Sequence, residues 1–224
     1  MIAVFDTSSL ISMSQSCLIN SLKGLKESGE NTFVIPESVY GEVVERPLKI
    51  KRFELNAVRV QKAVDEGWLE VKELNAPFRD IANKIADIAN NMFFIKGKRL
   101  KLIQAGEIEA LALLKQLNSN LLIIDERTTR AIIENPMQLK RLIERRRNKR
   151  VNFKEENAAE LKEMFPDLDI ARSVDLIALA FERKLLGNEL PQSKQALEAA
   201  LYAVKFAGCA VSGNEIEHFL GSKK

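Results

Sequence analysis

The chain has 224 residues, 46% hydrophobic and 29% charged, a balance that suits an ordinary globular protein and excludes a disordered or low-complexity one. Two cysteines and one histidine, His218, cannot build a thiolate or imidazole metal centre, and a net charge of +3 names no partner unless the cations cluster. No apolar run approaches the ~20 residues of a membrane span and the first apolar stretch turns acidic too early for a signal peptide, so the reading is a cytoplasmic protein with no membrane partner.

Ile2-Ala3-Val4-Phe5 is a continuous apolar run, the pattern of a strand buried on both faces of a parallel sheet, and it runs directly into Asp6-Thr7-Ser8-Ser9. Ligands bind such sheets at the carboxyl ends of their strands, so Asp6 stands where chemistry is done. Ser8 to Lys26 predicts one or two helices, Thr32 to Ile35 a second strand, and Pro36-Glu37-Ser38 the start of a helix with Glu42 and Glu45 at i, i+3. A helix over Val58 to Asp65, a strand over Trp68 to Val71 and a helix over Phe78 to Phe94 follow. Cys17 and Cys209 read as buried or inert thiols.

The stretch 106 to 130 repeats the opening. Gly106-Glu107-Ile108-Glu109-Ala110 starts an apolar helix on two carboxylates, and Leu121-Leu122-Ile123-Ile124 is a second buried-type strand that ends on Asp125-Glu126. Successive helical residues turn by about 100°, so Glu107 and Glu109 face different ways and only one of them can address a common site. Downstream, Leu168 to Ala171 predicts a last strand, Ser173 to Leu186 a helix stopped by Gly187, and Pro191 the start of another helix to about Phe206. Gly208 and Gly213 then bracket a turn before a final helix that carries His218. Asp169 and Asp175 are minor acidic candidates near the same edge.

Asp6 in FDTSSLI, Glu42 in PESVYGEVVE, Glu107 in GEIEALALL and Asp125 in LLIIDERTTR resemble the four acidic positions of the PIN-domain family of metal-dependent nucleases. The GExEA pattern, followed after a helix by a strand and an Asp-Glu-Arg, is similar in particular to a prokaryotic or archaeal-type branch of that family. The resemblance covers roughly residues 1 to 47 and 104 to 132 and, more loosely, the closing helices. It implies a three-layer α/β/α fold with a central parallel sheet of about five strands, read here as one domain over 1–224 with a basic helical insertion around 136–167 and C-terminal helices over 173–220. It also implies that Asp6, Glu42, Glu107 and Asp125 hold Mg2+ or Mn2+ directly or through water, and that Ser8 or Thr128 orients water or phosphate. Glu109 and Glu126 stand as secondary candidates. The spacing from Glu42 to Glu107 is long for the family, and Glu126 stands where many members have Asp.

Phosphodiester hydrolysis needs charge neutralised on the phosphate and a water activated, and a carboxylate-held divalent ion does both. Hard oxygen ligands are all that this chain offers. Taken singly, Asp6 and Asp125 are also what plain N-caps look like, Glu107 is what the helix dipole favours in a first turn, and Glu42 fits a solvated face.

Basic residues do cluster. Lys140, Arg141, Arg145, Arg146, Arg147, Lys149 and Arg150 crowd one stretch that holds a single acid, and Lys98 and Arg99 lie in a second, KGKRLK. Without interleaved aromatics, contacts to the backbone of single-stranded or structured RNA are expected more than contacts to bases. The functional expectation is therefore a Mg2+- or Mn2+-dependent endoribonuclease. The alternative is a catalytically degenerate PIN-like module that binds RNA or protein. A toxin with a protein inhibitor of antitoxin type, an RNA-processing enzyme and a homodimer are all compatible with the sequence. A haloacid-type phosphatase is disfavoured because position 8, where a second Asp is needed, is Ser.

Overall fold

The computed structural model describes residues 1–186 and 189–221. Five strands form one parallel sheet: β1 (Ile2–Phe5), β2 (Thr32–Pro36), β3 (Leu69–Lys72), β6 (Leu121–Ile123) and β8 (Asp169–Ala171), in the order β3-β2-β1-β6-β8. The chain builds outward from β1 to β3 and then returns to place β6 on the other side of β1. This makes the β1/β6 boundary the topological switch point, where the carboxyl ends of adjacent strands leave a crevice. Register is set by Val4, which lies beside Val34 on one side and Leu122 on the other.

Strand alternation divides the core into two. Ala3, Phe5, Phe33, Ile35 and Ile123 face a layer formed by α1 (Thr7–Gln15), α2 (Ile19–Glu27), α4 (Glu54–Asp65), α10 (Ser173–Glu182) and α11 (Lys194–Ala207), with Phe5 and Phe33 edge to face at 5.1 Å. Val4, Val34, Leu122 and Ile124 face α5 (Ala76–Asn90), α6 (Ala105–Gln116), α8 (Pro136–Arg147) and α9 (Glu155–Met164). The expected three-layer arrangement around a five-stranded parallel sheet is thus what the chain adopts. Between them, α3 (Glu37–Tyr40) follows β2, α7 (Arg127–Glu134) follows β6, and α12 (Gly213–Phe219) closes the described chain.

Several expectations are corrected in detail. The helix read over Phe78 to Phe94 ends at Asn90, because Phe93–Ile95 is a strand, β4, joined to β5 (Lys98–Arg99) by a two-residue turn. Lys96 and Gly97 take φ of 50° and 76°, the left-handed pair that a tight hairpin needs. The basic insertion is not purely helical: β7 (Asn152–Phe153) lies antiparallel on β4 and completes a three-stranded ribbon, β5-β4-β7. Ser8 to Lys26 forms two helices, separated at Cys17, which is exposed at φ 60° rather than buried, whereas Cys209 is buried. The helix expected from Pro191 starts at Lys194, with the Ser193 hydroxyl accepting the Ala196 N–H. Gly187, the expected stop of the preceding helix, lies outside the described residues. Among the described residues no helix is long and apolar enough to cross a membrane.

Candidate active site

β1 delivers Asp6 to the switch point, where its N–H donates to the Ile123 carbonyl at 2.9 Å and carries the sheet ladder one step beyond β1. Its side chain caps α1: Oδ2 accepts the Ser8 N–H at 3.0 Å and the Ser8 hydroxyl at 2.7 Å. The other oxygen, Oδ1, is buried with no hydrogen-bond partner. Burial pushes the carboxyl above the ordinary range, the Ser8 and Thr7 donors oppose that, and the charge of Glu42 adds to the rise.

Glu42 reaches this edge from a π-helical turn over Gly41–Glu45, closed by the Arg46 N–H to the Gly41 carbonyl at 3.0 Å. Such wide turns redirect side chains and recur at functional sites. Thr7 donates its hydroxyl to Glu42 Oε2 at 2.7 Å. On the opposite flank, α6 comes close because residue 106 is glycine: a Cβ there would sit 3.1 Å from Glu42 Oε2 and 3.3 Å from Val39 Cγ2. The close approach brings Glu107, in the first turn of α6, to the same place.

Glu107 is buried, with 8% of its surface exposed. Its Oε2 accepts the Gln104 N–H at 2.6 Å, and its Oε1 accepts the Thr129 hydroxyl at 2.7 Å. Burial raises its pKa to about 7, against the pull of those two donors, and the charges of Asp6 and Glu126 push the same way as burial. Glu126 caps α7 by accepting the Thr129 N–H at 2.7 Å. Asp6, Glu42 and Glu107, with Glu126 at the margin, therefore form one mutually repelling carboxylate group.

Asp125 is placed differently. It is fully buried, and its carboxylate turns toward α10, where Oδ1 accepts the Ser173 N–H at 2.7 Å and Oδ2 the Ser173 hydroxyl at 2.6 Å. The Cys209 thiol lies beside it, and burial together with that carboxylate pushes the thiol pKa up. The Asp125 carbonyl accepts the Ala210 N–H at 3.1 Å. The sequence placed Asp125 with the other three acids; the structure brings its backbone to their edge and spends its carboxylate on Ser173.

Of the two hydroxyls expected to orient water or phosphate, Ser8 is fully committed: it donates to Asp6 and accepts the N–H groups of Asp125 and Glu126 at 2.9 and 3.2 Å. Thr128 is half-buried beside the residue that reaches Glu107, Thr129. Thr7, Thr129 and Ser173 are the polar residues that sequence reasoning missed, although Thr129 was legible as the N3 position after a Glu N-cap. Glu109 is partly buried two residues on from Glu107 and so on another side of α6, Asp169 starts β8 at the opposite sheet edge, and Asp175 pairs with Arg172 at 3.2 Å. The anticipated basic residues are exposed except Lys140, which pairs with Glu144 at 3.1 Å.

A family model described as a PIN domain matches residues 2–138, more than half of the chain. The chain belongs to the PIN-domain family. PIN domains are generally nucleases, bind nucleic acids and typically use divalent metals. No curated protein and no solved structure matches it. The matched part of this PIN domain contains Asp6, Glu42, Glu107 and Asp125, whereas Ser173, Cys209 and Ala210 lie beyond it.

Among the described residues no three His, Cys, Asp or Glu side chains are arranged to hold a metal ion. The donor set nonetheless fits a hard divalent cation. Mg2+ keeps several waters and needs only one or two carboxylates plus substrate phosphate oxygens. The unpartnered Asp6 Oδ1, beside a glutamate held near pH 7 by burial and like charge, is a position that a cation would satisfy.

Proposed function

We propose that this PIN domain is a Mg2+- or Mn2+-dependent endoribonuclease. Asp6 and Glu42 are the carboxylates that would hold the ion, with Glu107 beside them and bound water completing its shell, and Asp125 holds the edge on which they sit. The observation that carries this reading is the buried Asp6 Oδ1, which lacks any donor and lies at the sheet switch point beside two further carboxylates. A bound divalent ion supplies phosphate charge neutralisation and acidifies a water. The chain's own residues do the rest. Thr7 fixes Glu42, and Ser8 fixes Asp6 while pinning the 125–126 backbone. Thr129 and the Gln104 N–H fix both oxygens of Glu107, which at a pKa of about 7 is suited to accept a proton from water at Oε1 or Oε2. The N-terminal end of α6 adds partial positive charge where phosphate enters.

The test is a thermal melt with increasing Mn2+, wild type against Asp6→Asn, paired with cleavage of an end-labelled RNA. A metal-dependent rise in the wild type that the variant loses, with internal cuts leaving 5′-phosphate ends, is the expected result. No rise in the wild type removes the ion site.

A second reading, a PIN module that binds RNA without cutting it, is favoured by one observation: the Asp125 carboxylate is closed on Ser173. Salt-sensitive RNA binding with an intact RNA pool after incubation in Mn2+ would select it.

A further inference from the structure

The two basic stretches, some fifty residues apart in sequence, are one surface in space. Phe94 of β4 lies opposite Arg99 of β5 and opposite Asn152 of β7, so the ribbon places KGKRLK on one side of β4 and the 149–154 segment on the other. Because β7 runs antiparallel to β4, the Lys96-Gly97 turn stands at the same end of the ribbon as Lys149 and Arg150. Strand period two then sorts the side chains: Val151 is buried and Phe153 is half-buried, while Arg150, Asn152 and Lys154 are exposed. By the same alternation Arg99, opposite Phe94 and so in line with Asn152, shares a face with Arg150 and Lys154, while Lys98, opposite Ile95, and Lys149 start on the other face; with Lys96 at the turn, exposed cations flank β4 on both sides, about 10 Å apart at ordinary strand spacing.

None of these six cations is in a salt bridge among the described residues. The neighbouring carboxylate of Glu144 is taken by Lys140 at 3.1 Å and by the Val151 N–H at 3.0 Å. Glu144 also feels the charge of Arg150, and the concentrated positive charge that remains repels itself and suits a polyanion. The ribbon also lacks free aromatic faces: Phe93 is buried and packs on Phe153 at 5.2 Å, and Lys154 covers the Phe94 ring at 5.4 Å. Single strands are held by a cationic groove with bases stacked on aromatics, and no uncovered aromatic face accompanies these cations among the described residues.

We infer that the β5-β4-β7 ribbon is a docking surface for a double-helical sugar–phosphate backbone, its flanking cations addressing phosphates of both strands. Resting on the ribonuclease reading, this makes paired RNA the substrate class, with the cut made beside the docked helix. Arg99 is eight residues from Glu107, at most about 28 Å of chain. The link is tied down midway, since Asn90 Oδ1 accepts the Leu102 and Ile103 N–H groups at 2.9 and 3.2 Å.

The experiment is equilibrium binding in metal-free buffer, where nothing is cut, with an RNA hairpin, a DNA hairpin of the same sequence and an unstructured RNA of equal length, each over a salt series. The hairpin form is expected to bind at least tenfold tighter than the unstructured strand. Lys98→Glu with Arg99→Glu is expected to weaken hairpin binding at least tenfold and to reduce the salt slope by about 2, roughly one for each phosphate that is no longer neutralised. Lys149→Glu with Arg150→Glu should do the same, whereas Lys51→Ala with Arg52→Ala, distant and exposed, should not. Equal or tighter binding of the unstructured strand, or charge reversals that leave the slope unchanged in a variant with a wild-type melt, overturns the ribbon assignment. A DNA hairpin preferred to the RNA hairpin leaves the ribbon standing and counts against the ribonuclease reading, as does intact RNA in Mn2+ despite tight hairpin binding.

Discussion

Ser8 donates its hydroxyl to Asp6 Oδ2 at 2.7 Å while its own Oγ accepts two backbone N–H groups from the far side of the switch point, those of Asp125 and Glu126. One hydroxyl therefore joins the ends of β1 and β6. Replacing it with Ser8→Ala leaves two partly buried N–H groups without an acceptor and takes a donor from a buried carboxylate. The expected loss is about 2–3 kcal/mol in urea unfolding, well above the few tenths typical of an exposed serine.

Stability without metal should fall as pH rises through neutrality. Glu107 has a folded-state pKa of about 7, above its ordinary 4.5, so between those values the folded protein binds more protons than the unfolded one. The associated stability is complete below 4.5 and is lost as pH passes 7, on the order of 3 kcal/mol in chelating buffer. Asp6, also raised by burial, acts in the same direction. Denaturant melts across this window should show the decline in the wild type and much less of it in Glu107→Gln, and a divalent ion should flatten it.

Thr129 and Thr128 are neighbours with unlike consequences. Thr129→Val keeps the shape and removes the donor on Glu107 Oε1, so the midpoint of that pH dependence should move upward and stability at pH 8 should drop by about 1–2 kcal/mol. Thr128→Val should leave both within error. Identical behaviour of the two variants would contradict the assigned geometry.

Gly106→Ala separates stability from activity. Alanine is worth up to about 1 kcal/mol over glycine inside a helix, while its methyl would crowd Val39 and the Glu42 carboxylate. The two effects nearly cancel in the melt, but Glu42 must shift by a few tenths of an ångström. A urea midpoint close to wild type with RNA cleavage down about tenfold or more is the expected pair of results.

The sheet was legible because its strands are short, continuous apolar runs: Ile2 to Phe5 and Leu121 to Ile124 each announce a doubly covered strand and a carboxylate after it. The ribbon was not. Phe93 and Phe94 follow Met92 at a spacing that continues the α5 pattern, and strands of three, two and two residues carry no periodicity of their own. Only Lys96-Gly97 signalled a turn. Chain order and strand ends pointed to Asp6, Glu42 and Glu107, and the structure brings these three carboxylates to one edge. The direction of the Asp125 carboxylate was hidden because its donor, Ser173, arrives 48 residues later from another element. Thr129 was missed by one position, although a Glu at the N-cap places the second of the two threonines at N3, where its N–H meets the cap.

The partners of Asp125 also bear on how this PIN domain can be divided. Ser173, Cys209 and Ala210 all lie after residue 138, where the family match stops, yet they hold a residue inside it. A fragment cut at residue 138 would strand a buried carboxylate without its donors and also lack the last strand of the sheet. The later helices are therefore structural members of the edge that carries the acids, and grafting residues 2–138 onto another protein would carry those acids without the frame that orients their loop.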